Sequence, residues 1–403
     1  MATKSPREPG SAGREPKAVR DVRKVCVVVG SRANYSSIKS AMRAVNDHSD
    51  LELQLVVGAS ALLDRYGTVL DLIERDGFEP SERVFMLIEG ETPGTMAKST
   101  GLGLLELPTA FDRLQPDVVI TVGDRFETMA TALAATYMNI PLAHTMGGEV
   151  SGNIDESIRH AVTKFAHVHF PASKGAAERI VKLGEDPENV HMVGCPRMDL
   201  VAETLAEDGD GLSELFRFGV GGSFSLDEPF LLVSQHPVTT EYGDGERQIT
   251  ETLKAVQAFG MPAIVLWPNA DAGSEHIARG IRKFREHEDD SRLHFFKNLP
   301  TDDYIKLMKR TAVLVGNSSS AIREGSFIGT PAVNIGSRQE GRDRGSNVVD
   351  TDYERVQVAD AIRAQVDHGS YGHEPIYGRG DAGKRIADVL ATKQLSIAKR
   401  MTY

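Results

Sequence analysis

The feature that most constrains this chain is a run of short, unbroken apolar segments, each followed by a longer stretch with helical spacing. In the first part these apolar segments fall at 24–29, 51–57, 83–87, 117–122, 141–144, 167–170 and 190–193, with amphipathic stretches such as 37–45 and 125–137 between them. Val, Ile and Leu without polar alternation make strands that are apolar on both faces, and such strands belong to parallel sheets covered by helices on each side. A looser stretch over 203–228, rich in Gly, Asp and Ser, interrupts the pattern, which resumes at 230–234, 263–267, 294–296, 312–316 and 332–335. The fold expected is α/β, with two Rossmann-like doubly wound domains and a ligand cleft between them. The boundaries expected are a disordered tail over 1–22, a first domain over 23–200, a second over 201–380, and a terminal helix over 381–403. The helix of that last segment packs on one of the halves, the N-terminal domain being the candidate.

Composition narrows the partners. A formal net charge of −11 disfavours a nucleic-acid polymer, whose binding needs a basic surface. It says little about a small phosphate, which needs only a few converging Arg, Ser and helix ends. No apolar run is long enough to span a bilayer, and the first 21 residues lack the apolar stretch of a secretory signal. Two cysteines, Cys26 and Cys195, offer neither a disulfide framework nor a metal-ligand spacing. A cytoplasmic protein without a metal or membrane partner is expected.

In doubly wound sheets, ligands sit beyond the carboxyl ends of the strands. The first strand runs into Gly30-Ser31-Arg32-Ala33-Asn34-Tyr35-Ser36, a tight turn opening a helix, where backbone N–H groups, a hydroxyl and a guanidinium can meet an anion. It is not the glycine fingerprint of dinucleotide enzymes. Val315-Gly316-Asn317-Ser318-Ser319-Ser320 repeats the arrangement in the second half, with Glu324 placed to accept from ribose hydroxyls. One serine suffices for capping, which leaves two for a diphosphate. Gly123-Asp124-Arg125-Phe126 follows the fourth strand and pairs a carboxylate with a cation; Asp124 can equally cap the next helix. The densest segment, from His144 through Met146, Gly147, Gly148 and Glu149 to Asp155, Arg159 and His160, leads carboxylates into a helix. There Asp155 and Arg159, four apart, can also form a plain ion pair. Gln235-His236-Pro237 ends the first strand of the second half, where His236 is a phosphate partner or a general acid.

Together with Pro268-Asn269-Ala270-Asp271-Ala272-Gly273-Ser274, these segments closely resemble the hydrolysing UDP-N-acetylglucosamine 2-epimerases, in register from about residue 25 to residue 387. The resemblance implies the two-Rossmann-domain glycosyltransferase-B type of fold and a dimer or tetramer. It implies conversion of UDP-N-acetylglucosamine and water to N-acetylmannosamine and UDP, by anti elimination and then syn hydration, with no cofactor. It gives the nucleotide and its phosphates to Arg32, Ser36, Arg125, His236, Asn269, Ser318, Ser319, Glu324 and Arg338. It gives the catalytic carboxylates to Asp124 and Asp155, with His236 beside the phosphates.

Three positions depart from the family pattern. Met146 stands where Glu is usual, Asn34 where Asp is usual, and Ala61 where His is usual. Methionine moves no proton, and one missing acid or base costs on the order of a hundred- to ten-thousandfold in rate. Three readings follow: Glu149 takes over the lost role in a working epimerase; the protein hydrolyses or transfers a nucleotide sugar without touching carbon 2; or it binds the nucleotide sugar without turnover.

Overall fold

A computed structural model describes residues 22–63, 69–90, 92–151, 154–207, 211–212, 214–268, 273–288, 291–297 and 299–402. The expected tail, apart from Val22, and the predicted ligand Asn269 lie outside these residues. The first sheet holds β1 (Arg23–Val29), β2 (Leu51–Gly58), β3 (Glu82–Val84), β4 (Val118–Val122), β5 (Leu142–Thr145) and β6 (Val168–Phe170) in the order β3-β2-β1-β4-β5-β6, all parallel. The second holds β7 (Val220–Gly221), β8 (Leu231–Ser234), β9 (Ala263–Leu266), β10 (Leu293–Phe296), β11 (Val313–Gly316), β12 (Ala332–Ile335) and β13 (Val348–Thr351) in the order β13-β12-β11-β8-β9-β10-β7. Among the described strands only β7 runs antiparallel, against β10. Each half is doubly wound: the chain starts in mid-sheet, builds one side, then returns to build the other.

The apolar runs fill two faces at once. In β1, Val25, Val27 and Val29 belong to one core, while Cys26 and Val28 point into the core on the opposite face. Burial pushes the Cys26 thiol up to about 12. Leu231 and Val233 of β8 divide from Leu232 in the same way.

Several expected boundaries shift. The run 190–193 is no strand: it makes one isolated bridge from Val190 to His169, and the Met192 and Val193 carbonyls accept from the Arg385 guanidinium instead of a neighbouring strand. The run 83–87 pairs only over β3, with Phe85 exposed. The helix Pro196–Ala206 extends into the stretch read as loose. β7 and β13 were not anticipated.

Doubly wound topology fixes where loops part. The returning strand lies beside the starting one, β4 beside β1 and β11 beside β8, and the loops leaving such a pair diverge over opposite faces. The two crevices are therefore framed by Gly30–Ser36 and Gly123–Arg125 in one half and by Gln235–Pro237 and Asn317–Ser320 in the other.

The helix Pro196–Ala206 ties the halves together, touching Lys39–Asn46 and Ala382–Thr392 on one side and Thr301–Arg310 and Arg323–Ile328 on the other. The C-terminal helix Ala382–Thr392 packs on Lys39–Asn46 of the first half. Buried Asp199 holds this junction, accepting from the N–H groups of Ala382 (3.0 Å) and Gly383 (2.7 Å) and from Ser40 Oγ (2.8 Å). Asp199→Ala strands the Ala382 and Gly383 N–H groups, whereas Ser40 Oγ keeps the Pro196 carbonyl at 2.9 Å, so the expected cost is about 2 kcal/mol or more. It is read as a lowered urea midpoint, and an unchanged midpoint would refute this role.

Candidate functional site

In the loop after β1, Ser31 caps the short helix Arg32–Ser36 by accepting from Asn34 N at 3.2 Å. Asn34, nearly buried, accepts from Gly30 N at 3.2 Å, so the amide that replaces the expected carboxylate is spent on closing the turn. Gly30 is required there, since a Cβ would stand 2.4 Å from Glu127 Cγ. Arg32 is half-buried, and its guanidinium has no hydrogen-bond or ion-pair partner among the described residues; burial pulls its pKa down. A guanidinium partly withdrawn from water with no carboxylate beside it is suited to an anion. Ser36 Oγ donates to the Arg32 carbonyl at 3.1 Å and accepts from Arg197 Nη1 at 3.0 Å. Ala61, where the family has His, is wholly buried in the core beneath.

After β4, Asp124 meets Arg159, which reaches back from the helix Ile154–Phe165. The same guanidinium donates to the Glu149 carbonyl at 2.8 Å and to Ser151 Oγ at 3.3 Å. Burial raises Asp124, but Arg159, with Arg342 and Arg323 behind it, outweighs burial and holds the carboxyl below its usual range. Arg125 Nε sits 3.0 Å from buried Glu127. Asp155 lies in the first turn of the helix Ile154–Phe165, half-buried, the place where a carboxylate is favoured by the helix dipole.

At the end of β5, His144 is fully buried and donates through Nε2 to the Gly123 carbonyl at 2.7 Å. Met146 follows in the left-handed region, φ 62°, which costs a residue with a Cβ roughly 1–2 kcal/mol. Gly148 at φ 76° could carry no side chain, because a Cβ would stand 2.2 Å from the Ala176 carbonyl.

In the second half, Asn317 is wholly buried and clamps the loop after β8. Its Oδ1 accepts from His236 N at 2.7 Å, and its Nδ2 donates to the His236 carbonyl at 2.9 Å. The Asn317 carbonyl accepts from Arg338 Nη1 (3.2 Å) and Gln339 Nε2 (2.9 Å), drawing Arg338 to the same place. Ser318 caps the turn, and Ser320 is taken by Ser318 (2.8 Å) and Tyr304 (2.6 Å). Of the three serines, Ser319 alone has no side-chain partner among the described residues, so one hydroxyl rather than two is left over. Glu324 is buried and paired with Arg197.

The halves meet through charge. Buried Glu149 pairs through Oε2 with Arg323 and, at 3.2 Å, with Arg342 Nη1, both from the second half. Burial by itself would make Arg323 easier to deprotonate, but the Glu149 carboxylate prevails and holds it charged; Arg342, buried and beside Arg323, is pulled down to about 10. Arg179 (3.1 Å) and Ser173 (2.5 Å) bind Asp343 nearby. Met146 Sδ lies 3.8 Å from Arg323 Nη1 and 3.9 Å from Cys195 Sγ. Through Oε2 the Glu149 carboxylate is shared by two guanidinium groups, while its buried Oε1 has no hydrogen-bond partner among the described residues. Arg197, Arg323 and Arg342 were missed in the sequence, where a lone Arg carries no mark of its partner.

Two expectations follow. Glu149→Ala leaves two buried guanidiniums without their counter-ion, a loss of about 3–5 kcal/mol, seen as a markedly lower urea midpoint; a midpoint within error of the parent would sink this assignment. His144 supplies a pH dependence. Burial pulls its pKa from 6.5 to about 3. The unfolded chain then gains a proton below about 6.5 that the folded chain refuses until about 3, so stability falls with acid through that window, by about 1.4 kcal/mol per pH unit. His144→Gln should remove about that slope from unfolding measured between pH 6 and pH 4, and an unaltered slope would mean that His144 is protonated inside the fold.

A family model described as UDP-N-acetylglucosamine 2-epimerase matches residues 43–391. A UDP-N,N'-diacetylbacillosamine 2-epimerase (hydrolyzing) of Legionella pneumophila is 31% identical over 371 residues, covering 92% of this chain and 96% of its own. A UDP-N-acetylglucosamine 2-epimerase of Neisseria meningitidis is 28% identical, covering 92% and 95%. The crystal structure of UDP-GlcNAc 2-epimerase from Neisseria meningitidis bound to UDP-GlcNAc has the same fold, with TM-score 0.78 at 15% identity over 92% of this chain and all of that one.

Proposed function

This chain belongs to the UDP-N-acetylglucosamine 2-epimerase family, and from that premise we propose that it is a hydrolysing 2-epimerase, releasing UDP and N-acetylmannosamine from UDP-N-acetylglucosamine. The observation that carries this reading is the convergence of two anion-suited loops: Arg32 and Ser36 after β1, and Ser318, Ser319 and Glu324 after β11, linked through Arg197. The diacetamido sugar named for the Legionella relative would undergo the same change at carbons 1 and 2 and is the second substrate to test.

In this mechanism a base takes the carbon-2 proton as the bond from carbon 1 to the diphosphate oxygen breaks, and UDP leaves with that electron pair. Water then adds across the glycal, hydroxyl to carbon 1 and a proton to carbon 2 on the face that inverts it. Asp124, kept ionised by Arg159, and Asp155 share the proton transfers. Arg32, Arg125, Arg338 and His236 take up charge on the departing diphosphate.

Position 146 favours a second reading. A thioether packed against Cys195 and Arg323 supplies no acid or base, and Ala61 and Asn34 remove two more, which suits a nucleotide-sugar hydrolase that leaves carbon 2 alone.

Proton NMR with UDP-N-acetylglucosamine in D2O separates the two. Free N-acetylmannosamine carrying deuterium at carbon 2, together with UDP, is expected. Free N-acetylglucosamine with its carbon-2 proton intact would overturn the epimerase in favour of the hydrolase. Met146→Glu should raise the rate of carbon-2 exchange about tenfold or more if the missing acid or base limits it.

A further inference from the structure

Arg197 touches both nucleotide-facing loops and belongs to neither. Its Nη1 donates to Ser36 Oγ at 3.0 Å, and its Nε side pairs with Glu324. Ser36 ends the helix that follows β1, and Glu324 lies in the first turn of the helix Arg323–Ile328 that follows β11. One guanidinium thus spans the two halves at the place where a diphosphate and its ribose would lie.

Its position is electrostatically costly. Arg197 stands second in the helix Pro196–Ala206, in the first turn, where the helix dipole already presents positive charge. The one carboxylate in that turn, Asp199, is spent on capping the C-terminal helix. What holds the cation is Glu324, whose side chain is 3% exposed and which needs a donor for as long as it stays buried. The Arg197 side chain is 23% exposed, so it reaches the cleft.

We propose that Arg197 changes partner when a nucleotide sugar binds, giving up Glu324 to the ribose hydroxyls and turning onto the diphosphate as a further cation on the leaving group. The proposal rests on the nucleotide-sugar reading given above. The exchange conserves contacts: hydroxyls that donate to Glu324 replace the donor it loses, and a planar fork with five N–H groups meets phosphate oxygens better than it meets one carboxylate. A cation at a helix N-terminus is then relieved by an anion of higher charge. Glu324 keeps the charge parked while the site has no nucleotide, and ribose recognition frees it only when a diphosphate arrives with it.

Calorimetry with UDP on the full chain decides this, because the two views of Arg197 predict opposite signs. As a diphosphate ligand, Arg197→Ala should weaken UDP at least tenfold and slow release of UDP from the nucleotide sugar. As a mere counter-ion of Glu324, its removal would free Glu324 for ribose and leave UDP binding equal or tighter; that result would overturn the proposal. Arg197→Lys keeps a charge beside Glu324, so it folds on either view. It should bind UDP several-fold more weakly than the parent, and parent-like affinity would overturn the proposal equally. A parent chain that takes up no UDP at millimolar concentration would instead overturn the nucleotide-sugar reading, and the Arg197 assignment would fall with it.

Discussion

A single buried carboxylate, Glu149, sets the electrostatics on which the rest of the cleft depends. It issues from the Gly147-Gly148 turn of the first half and meets Arg323 and Arg342 of the second. Withdrawing three charges from water is expensive, and their mutual attraction repays it only when the geometry is close. Here the geometry is supplied from several sides. Gly148 lets the turn lie against the Ala176 carbonyl, Arg179 donates to the Gly148 carbonyl at 3.1 Å, and Arg159 donates to the Glu149 carbonyl. The backbone at Glu149 is pinned before its side chain is used, which reduces the ordering cost of the pair.

The balance left over is informative. Around Glu149 and Asp124 stand three guanidiniums, Arg159, Arg323 and Arg342, so the local sum is positive by one although the chain is strongly acidic overall. A positive cleft in an acidic protein concentrates small anions without attracting a polymer of phosphates. Asp124 benefits from the same excess, which is why burial fails to neutralise it. An anionic substrate and an ionised carboxylate can therefore share this cleft, each stabilised by cations that belong to the fold.

Much of this was legible in the sequence, for a physical reason. Strands covered on both faces must be apolar at every position, so β1, β4, β8 and β11 announce themselves as unbroken runs, and the loops beyond them fall where doubly wound topology opens a crevice. Edge strands lack that signature: β13 is half-exposed, and β7 is two residues among glycines. The run 190–193 looked like a strand because it is apolar, yet apolarity does not reveal that a guanidinium takes its carbonyls. In the site, Gly, Ser and Asp at strand ends were readable because turn geometry restricts those positions. The arginines were not, since a long flexible cation meets partners far away in sequence. Arg159 shows this best: spacing offered Asp155 as its partner, and the fold brings Asp124 from the neighbouring loop.

Position 146 brings these strands of argument together. Its backbone is held left-handed, with its N–H donating to the Phe170 carbonyl at 3.0 Å, so the turn directs whatever side chain it carries toward Cys195 and Arg323. Arg323 already has Glu149 as its counter-ion, so a thioether there does not leave it without one, whereas an apolar contact on an unpaired guanidinium would have been costly. Binding and proton transfer are thus separable in this architecture. The loops suited to anions rest on Asn317, Ser31 and the Glu149 network; within that network Arg323 touches the Met146 sulfur at 3.8 Å but takes its counter-charge from Glu149. A chain can carry methionine at that point and keep its anion-suited loops in place, because Arg323 and Arg342 are held by Glu149 and Arg159 by Asp124.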